Sequence, residues 1–405
     1  MFAKQCVILV GGLGTRLGPL TAAYPKPLLP VAKQPFLDTL LWHASRFGFE
    51  NVLLLAGYQA EAVAAYARST PYRHSLDIAV LTEPRPLGTA GALRAAAERL
   101  EEKFVLLNGD SVYDFNWLDL AVVPTHASET LAVMALRWLE DTSRCGVVTL
   151  EDAQVTGFHA RGDAGPGLVN GGVYLMDRAI VGALPEIGSL EADVLPMLAA
   201  KGAVGGRLYN GFFLDIGVPD ALQAAQTLVP GSLRRPAVFF DRDGVLNFDR
   251  GHVGTIARFE WIPGAREAVK LANDAGFFAF VITNQAGVAR AFYDEAAVRS
   301  LHAHMQSELR AFGAHIDDFR YCPHHPEGGV PEYAITCSCR KPEPGMILDL
   351  LAHWPVEFDR SLFIGDQPTD IEAGNRAGLR TLQFESGDLH SFLVPMLAAR
   401  EMTLS

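Results

Sequence analysis

The chain has 405 residues, 49% hydrophobic and 20% charged, which excludes disorder and gives enough length for two or three domains. Its net charge is −12, and residues 1–230 and 231–405 each carry 17 basic and 23 acidic side chains, so neither half is a basic nucleic-acid-binding module. No apolar run reaches the ~18 residues of a membrane span and no cleavage site follows the first residues, so the expected location is the cytoplasm, with no membrane partner.

The first predicted element is the strand Cys6-Val-Ile-Leu-Val10, apolar throughout, as befits a strand buried on both faces. It runs into Gly11-Gly12-Leu13-Gly14-Thr15-Arg16. Glycines let backbone N–H groups approach a phosphate chain, and Arg16 adds a permanently charged planar donor. Pro25-Lys26-Pro27 then presents an ammonium from a stiff loop. A strand from Asn51, an Ala-rich helix at 60–68, a helix at 90–102 and a strand from Phe104 follow, the last ending in Asn108-Gly109-Asp110. This alternation predicts a parallel α/β sheet with its ligand site beyond the strand C-termini. Cys6 and Cys145 stand alone and read as buried small hydrophobes.

Residues 228–236, Leu-Val-Pro-Gly-Ser-Leu-Arg-Arg-Pro, read as a linker, with a boundary near residue 232. The pattern then restarts. Ala237-Val-Phe-Phe240 is a second buried strand, running into Asp241-Arg242-Asp243-Gly244. Two carboxylates at i and i+2 beyond a buried strand make a dense acidic site. A strand from Phe278 ends in Thr283-Asn284, and a helix spans 294–312. Cys322-Pro-His324 and Cys337-Ser-Cys339 come next, directly before Arg340-Lys341-Pro342. Three thiolates and one imidazole suit tetrahedral Zn²⁺. A strand from Ser361 ends in Asp366, before a helix over 369–377.

Over residues 4–227 the motifs resemble, in order, those of the sugar-phosphate nucleotidylyltransferases: the Gly11–Thr21 loop, Pro25-Lys26-Pro27, Glu83 through Gly88, Leu107-Asn-Gly-Asp110, Asn170-Gly-Gly and Phe213-Leu-Asp215. The resemblance implies a Rossmann-like, GT-A-like mixed sheet. It assigns Gly11, Gly12, Gly14, Thr15, Arg16 and Lys26 to the triphosphate and reacting phosphates. Glu83 and Gly88 belong to the nucleobase loop, Asn170 to the sugar, and Asp110 and Asp215 to Mg²⁺. The family's Glu-Lys pair after Phe158 reads Ala160-Arg161 here. Arg161 takes the lysine's substrate-binding position, and the sugar loses a carboxylate acceptor.

Over residues 237–385 the motifs resemble those of the haloacid dehalogenase superfamily, and within it the zinc-loop phosphatases of heptose 1,7-bisphosphate. That resemblance implies a second Rossmann-like α/β domain, with a zinc loop and no large cap. Asp241 becomes the nucleophile and Asp243 the general acid and base. Thr283 and Lys341 hold phosphoryl oxygens, while Asn284, Arg290 and Arg340 contact substrate. Asp241, Asp366 and the Asp243 backbone carbonyl hold Mg²⁺, with Asp370 as support. Cys322, His324, Cys337 and Cys339 hold structural Zn²⁺, with His325 outside the set.

The expected domains are thus 1–231 and 232–405. Together they imply consecutive steps: loss of the 7-phosphate from a heptose 1,7-bisphosphate, then nucleotidyl transfer, GTP favoured, to the heptose 1-phosphate. Two alternatives keep the folds. One is a mannose- or glucose-type transferase joined to a histidinol-phosphate-like phosphatase. The other is a non-catalytic sugar-nucleotide sensor joined to a working phosphatase. A homo-oligomer is compatible with each.

Overall fold

The apolar runs at Cys6, Asn51 and Phe104 become buried strands, and half-exposed, less apolar stretches become further strands. In the first unit these are β1 (Gln5–Leu9), β2 (Asn51–Ala56), β3 (Asp77–Thr82), β4 (Lys103–Asn108), β5 (Ala132–Leu139), β6 (Val147–Glu151), β7 (Gln154–His159), β8 (Gly167–Asp177) and β9 (Val204–Leu208). The computed structural model describes residues 3–125, 130–143, 145–159 and 165–401. The chain divides into two units, Met1–Ser232 and Leu233–Ser405.

The first unit's large sheet has the order β3-β2-β1-β4-β8-β5-β9-β7-β6. The first four strands run parallel. Strand β8 runs antiparallel to both β4 and β5. The βα alternation therefore predicts the half bearing the glycine-rich loop, and the other half is mixed, as the resemblance implies. Successive side chains point to opposite faces of a strand. Cys6 and Ile8 pack with Val52 and Leu54 in one apolar cluster, and Val7 packs with Leu53 and Leu55 in another. All are 2% exposed or less, so both faces are core.

The second unit's sheet is wholly parallel, β12-β11-β10-β13-β14, from β10 (Ala237–Phe240), β11 (Phe278–Asn284), β12 (Asp318–Cys322), β13 (Leu362–Gly365) and β14 (Arg380–Gln383). Between β10 and β11 lie one short turn, Ile256–Arg258, and one helix, Ala265–Asp274, with no cap domain. The expected helix at 294–312 spans Glu295–Ala311, where the Asp294 side chain accepts from Ala297 N at 2.8 Å and caps the first turn. The expected helix at 90–102 is shorter, Gly88–Ala95, followed by a turn at Ala97–Arg99.

The linker reading of 228–236 is corrected. The helix Pro219–Leu233 takes up residues 228–233 of it despite Pro230. Ala225 and Val229 lie in the first unit's core, and that packing holds the helix beyond its weak local propensity. Arg235 is likewise no solvated linker residue; it is buried, with its guanidinium 5.2 Å from the Phe278 ring centroid.

The helix Gly88–Ala95 lies against residues 186–191. A Cβ on Gly91 would stand 2.4 Å from the backbone oxygen of Glu186. Alanine beats glycine in a helix by about 1 kcal/mol, but overpacking against backbone costs about 1 to 3 kcal/mol. Gly91→Ala is therefore expected to lower the thermal midpoint of the first unit, by a net loss of up to about 2 kcal/mol. An equal or higher midpoint would show that residues 186–191 yield instead.

Candidate active sites

In the first unit, Gly11 follows β1 and Asp110 follows the neighbouring β4. Gly109 N donates to Leu9 O at 3.0 Å, and a Cβ on Gly109 would stand 2.3 Å from that oxygen, so only glycine lets the two strand ends close. The strands Ser111–Asp114 and Phe212–Asp215 pair antiparallel, with Asp215 opposite Ser111. Ile216 N also donates to Asp110 O at 2.9 Å, so the two aspartates distant in sequence are held side by side.

Lys26, only 5% exposed, bridges them: its Nζ lies 2.5 Å from Asp110 Oδ2 and 3.3 Å from Asp215 Oδ1. Arg16 Nη2, Asp215 Oδ1 and Lys26 Nζ each lie 2.8 Å from where a Cβ on Gly217 would stand, so that glycine leaves room for two cations and a carboxylate to meet. Two carboxylates that converge on one cation form an oxygen set suited to Mg²⁺.

A cavity of about 370 Å³ opens beside this group, with Gly11, Gly12, Lys26, Glu83, Gly88 and Asp110 among its lining. Glu83 Oε2 accepts from Leu87 N at 3.1 Å, and burial pushes the carboxyl's pKa up. Gly14 and Thr15 lie outside the lining; Gly14, at φ 63°, opens the turn Thr15–Leu17 that carries Arg16. Ala160 and Arg161 lie outside the described residues. Asn170 joins the cavity through Glu191, a lining residue whose Oε1 accepts from Asn170 Nδ2 at 3.2 Å. Sequence reasoning missed Glu191, because it stands far along the chain from every quoted motif.

In the second unit, Asp241 follows β10 and Asp366 follows β13, and Asp241 N donates to Ile364 O at 2.9 Å. Carboxylate oxygens of Asp241, Asp366 and Asp370 lie within 4.8 Å of one another. Lys341 is the counter-charge, with Nζ 2.8 Å from both Asp241 Oδ1 and Asp370 Oδ1. Its backbone is pinned by Asn284, which accepts from Lys341 N and donates to Lys341 O, each at 3.0 Å. Burial opposes the Lys341 charge, but the two carboxylates outweigh burial and raise its pKa. Burial, with Asp370 and Asp243 nearby, pushes the Asp241 carboxyl up against the pull of Lys341.

These residues fit Mg²⁺. Asp366 Oδ1 is buried with no hydrogen-bond partner, an oxygen left for a cation. Asp370 stands in the cluster, but Oδ2 accepts from Asp366 N and Gln367 N at 3.2 and 3.0 Å while Oδ1 faces Lys341. Asp243 is not in the cluster: its carboxylate takes Arg242 Nη2 at 2.9 and 3.1 Å, Asn247 Nδ2 at 2.9 Å and Gln285 Nε2 at 2.9 Å. Its side chain is thus committed to these donors rather than to the carboxylate cluster. Arg242 is fully buried, and burial with this guanidinium lowers the neighbouring His302 to a pKa of about 3. The fixing of Asp243 by Arg242 and Gln285 was not expected from the motif.

A cavity of about 310 Å³ is lined by Asp241, Asp243, Thr283, Asn284, Arg340 and Lys341, among others. Arg290 does not line it; its guanidinium faces His325 at 3.5 Å. The donor atoms of Cys322, His324, Cys337 and Cys339 lie within 4.8 Å of one another, and His325 is outside the group. Sulfur pairs stand at 3.2 to 3.5 Å, and His324 Nδ1 stands 3.4 and 3.6 Å from two sulfurs. A tetrahedron with Zn–S bonds of about 2.3 Å has sulfur–sulfur edges of about 3.8 Å, so the donor set fits zinc after slight expansion. Arg340 Nη1 donates to His324 O at 3.1 Å, tying the cluster to this cavity, which Arg340 lines.

A nucleotidyl transferase family model matches residues 5–230, and a HAD-hydrolase-like model matches residues 338–391. Over 164 residues, 40% of the chain, there is 49% identity to the D-glycero-beta-D-manno-heptose-1,7-bisphosphate 7-phosphatase of Rhodopseudomonas palustris, covering 91% of that protein. Over 227 residues, 55% of the chain, there is 34% identity to the D-glycero-alpha-D-manno-heptose 1-phosphate guanylyltransferase of Aneurinibacillus thermoaerophilus, covering 96% of it. The crystal structure of HddC from Yersinia pseudotuberculosis, complexed with GMP-PN, superposes on 56% of the chain and 100% of its own length, with a TM-score of 0.50 and 27% identity.

The cysteine cluster generates one prediction. Elemental analysis of the purified chain is expected to find about one equivalent of zinc, and Cys339→Ser to lose it together with thermal stability of the second unit. Full stability in a zinc-free preparation would contradict a structural metal.

Proposed function

The chain belongs to the nucleotidyl transferase family through residues 5–230 and to the heptose-bisphosphate phosphatases through its second half, and on that premise we propose one bifunctional enzyme of nucleotide-activated heptose biosynthesis. The observation that carries it is a pair of carboxylate–lysine sites in one chain, whose relatives act on the two ends of one sugar phosphate. Residues 1–231 hold the transferase and 232–405 the phosphatase. No helix among the described residues is long and apolar enough to cross a membrane. The proposed location is the cytoplasm, where nucleoside triphosphates are made.

In the phosphatase step an Asp241 oxygen attacks the phosphorus of the 7-phosphate, and the departing sugar oxygen takes a proton from Asp243. Water then attacks the aspartyl-phosphate as Asp243 takes its proton, releasing phosphate and restoring Asp241. Thr283 and Lys341 hold the phosphoryl oxygens. Asn284 fixes Lys341, and Arg340 supplies positive charge at the cavity wall. Mg²⁺ held by Asp241, Asp366 and the Asp243 carbonyl would relieve repulsion between carboxylate and phosphate.

In the transferase step a 1-phosphate oxygen attacks the α-phosphorus of the nucleotide, and pyrophosphate leaves. The nucleophile is already anionic, so catalysis is positioning and charge neutralisation. The N–H groups of Gly11 and Gly12, with Arg16 and Lys26, meet the triphosphate, and Asp110 and Asp215 would hold Mg²⁺. Glu83 favours guanine. A carboxylate accepts from both N1–H and N2–H₂ of guanine, and no other common base offers that donor pair. Glu83→Gln is expected to cut kcat/KM for GTP by about 10- to 100-fold and narrow the preference over UTP and ATP. An unchanged nucleotide profile would remove Glu83 from base recognition.

The phosphatase relative is named for the β anomer and the transferase relative for the α anomer. Consecutive steps need one anomer, so the phosphatase proposed here accepts the α-1,7-bisphosphate. Incubation with each anomer, following phosphate, then with GTP, following pyrophosphate, tests this. Both products are expected from the α anomer. With heptose 1-phosphate supplied directly for the pyrophosphate assay, Asp241→Asn should abolish phosphate release alone, and Asp110→Asn pyrophosphate release alone. Turnover of the β anomer only, or loss of both activities in either variant, would contradict the proposal.

A further inference from the structure

The sugar end of the transferase site lacks an expected acceptor, because alanine stands at position 160. A different carboxylate, Glu191, lines the transferase cavity. Glu191 belongs to the single π-turn Leu190–Val194, a conformation that recurs at functional sites. Its backbone N–H side is fixed from below, with Leu190 N donating to Thr89 Oγ1 at 2.8 Å and Ala90 N to Gly188 O at 3.0 Å. Three donors converge on Glu191 Oε1: Asn170 Nδ2 and Tyr174 Oη, each at 3.2 Å, and Asn108 Nδ2 at 3.4 Å. Among the described residues Oε2 has no hydrogen-bond partner.

The surroundings are built to hold this carboxylate. The register of β8 slips between Asn170 and Tyr174, and such a bulge re-aims side chains. Gly172, at φ 73°, donates its N–H to Asn170 Oδ1 at 2.9 Å, which leaves the Asn170 amide N–H₂ to face Glu191. Tyr174 is fully buried, and burial with the nearby Glu191 raises its pKa, so it stays a donor. Asn108 precedes Gly109 and Asp110, so the cluster begins two residues from the metal aspartate.

We infer that Glu191 accepts the hydroxyls of the sugar 1-phosphate in the transferase site, supplying the carboxylate absent at position 160. The inference rests on the transferase reading above. A vicinal diol offers paired donors and acceptors, and a carboxylate flanked by two carboxamides complements both. The ligand class is a hexose or heptose 1-phosphate with an unmodified diol.

Glu191→Gln is expected to raise KM for the sugar 1-phosphate about 10- to 100-fold, with GTP affinity by calorimetry and the thermal midpoint as in wild type. An unchanged sugar KM, or equal losses for sugar and GTP, overturns the inference in favour of a purely structural carboxylate. Absence of any sugar turnover by the wild-type chain is a different result, because it sinks the transferase reading itself. Saturation-transfer NMR with mannose 1-phosphate then decides the subsite. Binding to wild type and not to Glu191→Ala supports it, and equal binding, or none to either, overturns it.

Discussion

Both units confront the same electrostatic difficulty. Each gathers aspartates at strand ends, where they repel one another and would repel the phosphates they serve. Each answers with one buried lysine: Lys26 against Asp110 and Asp215, Lys341 against Asp241 and Asp370. A buried lysine is costly alone; for Lys341, whose partners are buried as well, removing one partner costs about 3 to 5 kcal/mol, while the partners of Lys26 are partly exposed and solvent screens that pair. Lysine and carboxylates therefore stabilise one another or not at all. Both lysines also sit beside prolines, Pro25 and Pro27 in one case and Pro342 in the other, so stiff backbone delivers each ammonium.

The sheets explain why the pairs can form. In a parallel sheet the C-terminal ends of neighbouring strands lie together, and β1 with β4, and β10 with β13, use this directly. The first unit then adds strands that sequence alternation does not announce. Antiparallel β8 inserts beside β4, and its bulge brings Asn170 to the same edge as Asn108. The ladder ending at Asp215 brings in a residue more than one hundred positions from Asp110.

That division marks what was legible from sequence. Contiguous motifs could be read because their chemistry is local: a glycine loop, a D-x-D turn, C-x-H with C-x-C. Residues of separate motifs converge, with Lys26 on Asp110 and Lys341 on Asp241. What escaped was set by tertiary packing. Glu191 carries no local signature, and nothing in Asp241-Arg242-Asp243 announces that Arg242 is fully buried. The segment at 228–236 has the composition of a linker, yet the apolar stripe through Ala225 and Val229 keeps its first part, to Leu233, helical. Composition describes what a segment tolerates, and burial decides what it does.

The order of the two reactions follows from charge as well as from chemistry. A phosphate monoester carries close to two negative charges near neutral pH. The transferase cavity is lined by Lys26 and Asp110, beside Arg16 and Asp215, and it also holds the Glu191 carboxylate with two amides and a phenol. A sugar that kept its 7-phosphate would carry a second dianion toward that carboxylate, in a unit whose acidic residues already outnumber basic ones by six. No cation faces Glu191 among its hydrogen-bond partners to offset that charge. A neutral hydroxyl meets no such opposition and finds its acceptor there. Dephosphorylation before nucleotidyl transfer is thus the sequence that this field favours.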